Sequence, residues 1–308
     1  MIGGNGHHGS EQLTLLTPSL PPGMLRSPPR DGVASALELR LVTWNVQHAA
    51  PTRARLQAGW LASRPEADVL VLTEVTDAPG GLALIQALGE HGYRAVVPAQ
   101  AGGEYMTVVG TRASATSGAA LTVQTLPEGA GVLPHRLVTA RVMIGLHVVG
   151  VVGLYVPSRG PKQRRNVDKR AFQEAVSAYL ARLGAVFGGD GGLVVVAGDL
   201  NVVEPDHQPR YGVFGDWEYR FYADFADRGG LVDAFRALHP RQVEHSWFGR
   251  AGNGYRFDHI FITGRHRRQL RSCRYLHEPR LAGLSDHAAM AVTIALDPDP
   301  ARDGPDSR

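Results

Sequence analysis

The sequence predicts an α/β protein in which two β-sheets pack together and helices cover them from outside. Nine segments have the length and apolar composition of strands, whereas only four segments have helical periodicity. Several consecutive strands have no helix between them, which argues against the strict alternation of a doubly wound parallel sheet. The expected architecture therefore contains antiparallel strand pairs in two packed sheets.

The predicted strands are short runs rich in aliphatic and aromatic residues, which favour a pleated and buried surface. Some of these runs, such as Val194 to Ala197, are apolar at every position, and this pattern indicates burial on both faces. In chain order the predicted strands are 38–46, 68–74, 93–98, 105–111, 136–144, 147–156, 193–199, 256–263 and 288–296.

Four segments have the spacing of amphipathic helices. In the longest of them, apolar residues such as Phe172, Val176 and Leu183 recur at about 3.6-residue spacing, and charged residues fill the opposite face. This helix is therefore expected to cover a sheet. The predicted helices are 53–64, 80–90, 163–186 and 229–238.

The two ends of the chain differ in composition from the segment between them. Residues 1–36 are rich in Gly, Pro and Ser and have no periodicity, which predicts a disordered N-terminal leader. Residues 298–308 are expected to form a second disordered tail. The segment 37–297 contains no charge block, repeat or linker, so it is expected to fold as one domain.

Composition narrows the class of protein. The net charge of +3 is compatible with an anionic ligand without requiring one, and the predominance of Arg over Lys fits either phosphate recognition or a coding bias. The single cysteine, Cys273, excludes an internal disulfide and fits a reducing compartment. No run approaches the roughly 18 apolar residues of a membrane span. We expect a soluble, cytoplasmic monomer with no membrane partner.

Polar side chains end several of the predicted buried strands. In "VVVAGDLNVVEP", Asp199 and Asn201 follow four aliphatic residues and point to the same side of an extended chain. Alone, this pair fits an ordinary turn equally well. Four other strands, however, carry polar residues at the same kind of position, namely Asn45, Glu74, Asp258 and the pair Asp286–His287.

Buried carboxylates are costly unless they are paired or bind a cation. A single polar cluster at one rim of the sheets explains all of these positions together. Such a cluster suits phosphodiester cleavage, because Mg²⁺ prefers oxygen ligands and an Asp–His pair stabilises an imidazolium.

The motifs that hold these residues also carry a family resemblance. The order "TWNV", "LTEV", "LYVPSRG", "GDLNVVEPD", "YRFDHIFI" and "LSDH" resembles the endonuclease/exonuclease/phosphatase superfamily, and within it the exonuclease III-like AP endonucleases. The resemblance covers about 38 to 297. It implies the family fold, a four-layer α/β sandwich of two packed mixed β-sheets flanked by helices.

The resemblance also implies a metal site. Glu74 would be the principal ligand of a Mg²⁺ ion, with Asn45 beside it and Asp286 as a further metal-site or acid–base carboxylate. Mn²⁺ is the alternative ion.

Catalytic roles are implied in the same way. Asp199 would orient or deprotonate the attacking water, and Asn201 would hold a phosphate oxygen. His287 would bond the phosphate while Asp258 orients its ring. Tyr155 stands at the position that distinguishes the AP endonuclease branch from relatives with a histidine there.

Three positions depart from the pattern of AP endonucleases. Gln47 stands where they usually carry an acid, Ser158 where they usually carry Asn, and Tyr255 where they usually carry Trp. These departures are compatible with hydrolysis of a phosphodiester, but they argue against strict specificity for abasic sites.

Two basic segments are candidates for DNA contacts. The stretch 158–170 includes Arg159, Lys162 and Arg164, which with Tyr255 are the predicted substrate-binding residues; the same stretch also fits a solvated helix start. The Arg-rich stretch 264–280 is interpreted as a plain hairpin with exposed arginines. The aromatic-rich connection 205–222 either stacks on bases or packs locally.

The predicted function is a Mg²⁺-dependent phosphodiesterase that acts on DNA, either next to an abasic site or at 3′ ends. The alternative is a family hydrolase for another phosphoester, such as RNA, a nucleotide, or a lipid-derived or inositol phosphate. A third hypothesis, a catalytically silent nucleic-acid-binding fold, predicts no metal-dependent cleavage of any phosphodiester.

Overall fold

The fold consists of two six-stranded mixed sheets and one two-stranded ribbon. The computed structural model describes residues 37–64, 67–98, 105–112, 122–124, 133–159, 163–187 and 192–296. The described strands are β1 (Glu38–Asn45), β2 (Val69–Val75), β3 (Tyr93–Val96), β4 (Met106–Arg112), β5 (Thr122–Gln124), β6 (Leu137–Ile144), β7 (His147–Tyr155), β8 (Leu193–Asp199), β9 (Leu231–Asp233), β10 (Trp247–Phe248), β11 (Gly254–Tyr255), β12 (Asp258–Thr263), β13 (Leu270–Leu276) and β14 (Ala289–Ala295).

Helices lie outside the sheets. They are α1 (Pro51–Ala62), α2 (Pro79–Glu90), α3 (Gln163–Leu180), α4 (Leu183–Phe187), α5 (Asp216–Asp227), α6 (Ala234–Leu238) and α7 (Glu278–Leu281). None of the helices in the described segments is long and apolar enough to cross a bilayer.

The strand orders place the first and last strands of the chain side by side. The first sheet has the order β13-β14-β1-β2-β4-β3 and the second has the order β5-β6-β7-β8-β12-β9. Strands β1 and β2 are parallel, as are β7 and β8, and the other pairs within both sheets are antiparallel. Both sheets are therefore mixed.

Alternation along each strand builds the layers. In β2, Val69 and Val71 pack between the two sheets, whereas Leu70 and Leu72 face α1 and α2. The outer face of the second sheet packs on α3 and α5 through a separate apolar cluster that includes Phe261. Because both faces are covered, these strands are apolar throughout. The four-layer α/β sandwich is confirmed.

Two predicted helices have different limits in the structure. The segment 163–186 is not one helix, since a turn at residues 181–182 separates α3 from α4. The predicted helix 229–238 is wrong in its first half, because Leu231–Asp233 pair with β12 and Asp233 then caps α6 by accepting a hydrogen bond from the Arg236 backbone N–H at 2.9 Å.

Two predicted connections contain regular structure. The connection 205–222 includes the first half of α5, whose N-terminus carries a capping interaction between Glu218 and the Gly215 backbone N–H. The hairpin interpretation of 264–280 is wrong, because β13 crosses to the first sheet and pairs with β14. The predicted leader and tail lie outside the described residues.

Candidate active site

The carboxylates at the strand ends of the second sheet meet because of strand register. Asp199 ends β8 and Asp258 begins the antiparallel strand β12, and the two residues are direct partners. Asp258 Oδ2 lies 2.7 Å from His287 Nδ1, and all three side chains are almost completely buried. The other Asp258 oxygen, Oδ1, is buried without a hydrogen-bond partner. One ligand atom from each residue lies within 4.8 Å of the others.

Burial and mutual charge shift the pKa values of this cluster. Burial, followed by the nearby Asp258 carboxylate, raises the pKa of Asp199 to about 7. Burial opposes the charged form of His287, but the attraction and hydrogen bond of Asp258 outweigh it and raise the pKa of His287 to about 10. At neutral pH His287 is therefore an imidazolium, and the Asp199 carboxylate can still exchange a proton.

Backbone geometry fixes the position of Asp199. Gly198 has φ +145°, and a Cβ at this position would lie 1.9 Å from the Leu154 carbonyl oxygen, so only glycine allows β7 and β8 to approach here. Two amides then hold the carboxylate. Asn45 Nδ2 donates to Asp199 Oδ2 at 2.9 Å, and the Asn201 backbone N–H donates to Oδ1 at 2.8 Å.

Asn201 lies two residues beyond the end of β8 in a left-handed conformation, with φ +47°. Its side-chain NH₂ donates to the Val156 carbonyl at 2.9 Å, and its own carbonyl accepts a hydrogen bond from Lys169 Nζ at 2.9 Å. Lys169 is fully buried and pairs with Glu218 at 2.6 Å. A buried ion pair between α3 and α5 thus supports the loop that carries Asn201.

Glu74 comes from the first sheet. A register irregularity between Leu72 and Val75 and a φ of +55° at Glu74 turn the carboxylate toward the second sheet. There Oε1 accepts a hydrogen bond from the Tyr155 hydroxyl at 2.9 Å. Burial, and then the charges of Glu74 and Asp199, raise the pKa of Tyr155 well above its ordinary value, so this residue remains a neutral donor.

Asn45, a predicted metal-site residue, contacts the Asp199 carboxylate in the structure. It is fully buried; its amide nitrogen is directed at Asp199, and its oxygen accepts the Gln47 backbone N–H at 2.9 Å. In this arrangement Asn45 contacts the second sheet and holds Asp199. Asp286 lines the cavity and accepts a hydrogen bond from Trp247 Nε1 at 2.9 Å.

These groups surround a cavity of about 430 Å³. Glu74, Tyr155, Asp199, Asn201, Asp286 and His287 line its polar side. Its aromatic wall consists of Phe214, Trp247, Tyr255 and Phe257, whereas Tyr105 contacts His48 and Tyr155. The Trp247 and Phe257 rings stack with centroids 5.7 Å apart, and the Tyr255 and Phe257 rings at 5.0 Å, so the wall is a continuous apolar surface beside the carboxylates.

The predicted substrate-binding residues lie in different surroundings. Tyr255 lines the aromatic wall, and Arg159 lines the cavity while pairing with Glu218 at 2.7 Å and with the Val213 carbonyl. Lys162 lies outside the described residues. Arg164 belongs to α3, but its side chain lies outside the described part of the chain.

Six cavity residues belong neither to the predicted site residues nor to the three noted departures, and they lie in loops or in a two-residue strand without periodicity: His48, Tyr105, Val213, Phe214, Trp247 and Phe257. The available signal was proximity along the chain. His48 follows Asn45 by three residues, Phe257 precedes Asp258, and Val213 and Phe214 belong to the connection 205–222, for which base stacking was considered.

The residues present fit a divalent cation. Glu74 and Asp286 offer carboxylate oxygens at the cavity, and the buried cluster around Asp258 includes a carboxylate oxygen without a partner. Hard divalent cations such as Mg²⁺ and Mn²⁺ prefer such oxygen donors.

The two packed sheets and the carboxylate, amide and imidazolium groups at their shared edge define a phosphoester hydrolase. The model of the Endonuclease/Exonuclease/phosphatase family matches residues 42–287. The chain belongs to this family. No curated protein has significant sequence similarity to the chain.

Solved structures with the same fold include three nucleic-acid enzymes. An AP endonuclease from Archaeoglobus fulgidus is 21% identical with a TM-score of 0.66, covering 84% of this chain and 100% of its own. The AP endonuclease LMAP from Leishmania major is 24% identical with a TM-score of 0.67, and the match covers 85% of this chain and 89% of that chain. The 3′ phosphatase NExo from Neisseria, bound to a product DNA hairpin, is 23% identical with a TM-score of 0.67, and the match covers 82% of this chain and 98% of that chain.

Proposed function

We propose that the protein is a divalent-metal-dependent phosphodiesterase that hydrolyses DNA, either next to an abasic site or at a 3′ end. The observation that carries this proposal is the Asp199–Asp258–His287 cluster beside the aromatic wall of one cavity. Aromatic rings can stack on a sugar or base while the polar side meets the phosphate. The AP endonucleases and the DNA-bound 3′ phosphatase of the same fold are consistent with such a substrate.

The proposed mechanism divides the work between the two sheets. Asp199, with a pKa of about 7, accepts a proton from the water that attacks phosphorus, and Asn45 fixes its orientation. His287 is protonated and bound through Nδ1 to Asp258, so Nε2 is left to donate to a phosphate oxygen. Tyr155 holds the Glu74 carboxylate in place. Glu74 and Asp286 would hold a divalent cation, which would neutralise phosphate charge.

Another phosphoester remains the second candidate substrate, and one observation favours it. Gln47 replaces an expected acid, and its side-chain oxygen is bound by Arg53 at 3.0 Å. This edge of the cavity therefore differs in charge from that expected for an abasic-DNA enzyme. RNA, a nucleotide, or a lipid-derived or inositol phosphate belongs to this class.

For the whole protein we propose a cytoplasmic monomer with a leader at 1–36 and a tail at 298–308.

A substrate panel tests the proposal. The purified protein is assayed with and without EDTA on duplex DNA carrying a tetrahydrofuran abasic analogue, intact duplex, single-stranded RNA and bis-p-nitrophenyl phosphate. We expect EDTA-sensitive cleavage of DNA, and a loss of about 10²–10⁴-fold in kcat for Asp199→Asn, because the proton acceptor is gone. Glu74→Gln should lose activity comparably at low metal concentration. The control is Asp227→Asn, an exposed acid at the end of α5.

Each outcome decides between the candidates. Cleavage of RNA or the small ester without any cleavage of DNA would support the second candidate. A folded Asp199→Asn variant with the wild-type rate would refute the role of Asp199. The absence of metal-dependent cleavage of every substrate would support a silent binding fold.

A further inference from the structure

His48 provides a nitrogen atom next to the carboxylate that we propose as the metal ligand. His48 Nδ1 lies 3.2 Å from Glu74 Oε2, and the other carboxylate oxygen is taken by the Tyr155 hydroxyl. An octahedral ion with ligand bonds of about 2.1 Å holds adjacent ligand atoms roughly 3 Å apart. The Nδ1 and Oε2 atoms therefore have the separation of neighbouring ligands on one ion.

The backbone at both residues is held in a costly conformation. Gln47, His48 and Glu74 have φ values of +51°, +35° and +55°, in the left-handed region that favours glycine. The His48 backbone N–H donates to the Glu74 carbonyl at 3.0 Å, so the two strained segments are joined. Glycine would form this turn without strain. Strain of this kind at non-glycine residues is typical of functional sites, and here it brings the imidazole to Glu74.

The imidazole ring is also oriented by a neighbour. It stacks on Tyr105 with centroids 5.1 Å apart and an interplanar angle of 19°. His48 is half exposed and lines the cavity, so a ligand in the cavity can reach the Nδ1–Oε2 contact. Tyr105 therefore limits rotation of the ring and keeps Nδ1 beside Glu74.

The other candidate donor in this loop is already occupied. Gln47 is neutral, and Arg53 binds both its side-chain oxygen, at 3.0 Å, and its carbonyl, at 2.6 Å. Within the described residues of this loop, His48 is thus the side chain in contact with the Glu74 carboxylate. Its Nδ1–H donates to Oε2, and a divalent ion bound between them would replace that proton.

We infer that His48 and Glu74 together bind the divalent ion, giving a mixed nitrogen–oxygen site that prefers Mn²⁺ to Mg²⁺. Mg²⁺ takes oxygen ligands and keeps its waters, whereas imidazole is a good ligand for transition metals. This inference deepens the proposed function, because it concerns the metal of the same site.

The test is pulsed EPR of the full-length protein loaded with Mn²⁺, without any substrate. Wild-type protein should give the ¹⁴N modulation of a directly bound imidazole, and His48→Gly should lose it. Glycine suits the positive φ, so this variant is expected to fold. Its Mn²⁺ affinity should fall about 10-fold while its Mg²⁺ affinity changes less than about twofold. Added imidazole should restore the nitrogen modulation.

Two matched variants separate His48 from other histidines. His91→Ala, at an exposed helix end, and His287→Gln should both keep the ¹⁴N modulation. Absence of modulation in the wild type, or its persistence in His48→Gly without imidazole, would overturn the inference. The EPR test involves no DNA. If Mn²⁺ binds through His48 but the protein cuts no DNA, only the proposed substrate is refuted, and the inference about the metal site stands.

Discussion

Within the site, the titration of Asp199 and His287 is expected to set the pH range of activity. In the proposed mechanism, Asp199 accepts a proton only when ionised, and its pKa is about 7. His287 would bind phosphate as a cation up to its pKa of about 10. A divalent cation at the site lowers the pKa of a nearby carboxylate, so at saturating metal kcat/KM should rise about tenfold per pH unit up to an inflection at or below pH 7, stay level, and fall above about pH 10. A rate that does not fall at any pH between about 4 and 8 would exclude Asp199 as the proton acceptor.

Asp199 should also reduce stability at the pH where it works. Its folded-state pKa is raised from 3.8 to about 7, so the folded state binds this proton more tightly and loses stability as pH rises through that interval. Asp199→Asn is therefore expected to raise Tm by several degrees above about pH 7, with a gap that narrows toward pH 4. Calorimetry measures this difference.

His287 has the opposite effect on stability. Its folded-state pKa is raised from 6.5 to about 10, so its contribution to stability is complete below about pH 6.5 and is lost as pH rises through 10.

As a control for the Asp199 prediction, the exposed variant Asp227→Asn should follow the wild-type Tm at every pH. A wild-type-like Tm for Asp199→Asn at high pH would contradict the raised pKa.

The single residues that the sequence predicts are those at the ends of strongly patterned strands. Asp199, Asp258 and Glu74 stand out because a carboxylate interrupts or ends an apolar run. His48 and Trp247 do not stand out, because their positions depend on a left-handed turn and on a two-residue strand, which local composition does not encode.

At the level of elements, a buried ion network supports strand β12. Arg256 is fully buried and donates to Glu204 at 2.6 Å and to Asp233 at 2.8 Å. Burial raises the pKa of Glu204, but hydrogen bonds from Arg236 and the charge of Arg256 outweigh it and lower the pKa to about 2. Tyr275 adds a hydrogen bond to the Asp258 carbonyl at 2.6 Å, which connects this network to the site.

Removal of Arg256 should therefore be strongly destabilising. Arg256→Met leaves the buried Asp233 carboxylate without its guanidinium and removes one of the two guanidinium partners of Glu204, which is expected to cost about 3–5 kcal/mol in the free energy of unfolding. Urea denaturation followed by circular dichroism measures this change. Arg274→Met, an exposed position on β13, should change it by less than about 0.5 kcal/mol. Equal midpoints for the two variants would show that the network is not structural.

The elements missed from the sequence have identifiable reasons. Strand β13 leaves the sheet that contains β12 and pairs with β14 within the first sheet, and this change of sheet leaves no mark on the local pattern of 264–280. Helix α5 was hidden because its buried face is aromatic, with Phe221 and Phe225, and resembled a packed loop. The long apolar strands were predictable because both of their faces are buried.

For the whole molecule, the distance between the two sheets controls the site. Gly153 of β7 faces the first sheet, where an added Cβ would lie 2.7 Å from Thr107 Cγ2 and 3.1 Å from Val71 Cγ1. Two residues further along the same face, Tyr155 reaches across to Glu74. The hydrogen bond between the sheets therefore depends on the close contact that Gly153 permits.

Gly153→Ala should separate the sheets and weaken that hydrogen bond. We expect a loss of roughly 1–3 kcal/mol in stability from overpacking and a weaker affinity for the divalent ion, measured by calorimetry. Gly110→Ala is the matched control, since its Cβ would meet Leu70 at 3.5 Å, an ordinary contact. If both variants bind the ion like the wild type, the spacing of the sheets does not govern the site.

The neighbouring positions of β1 and β14 have a consequence for biosynthesis. Asn45, Glu74 and Asp199 emerge from the ribosome before His287 and before the strand that pairs with β1. A polypeptide terminated between Asp258 and His287 carries these residues but lacks the imidazole that pairs with Asp258. If His287 acts as proposed, we expect hydrolysis only after synthesis has passed β14, and products truncated before it should be inactive.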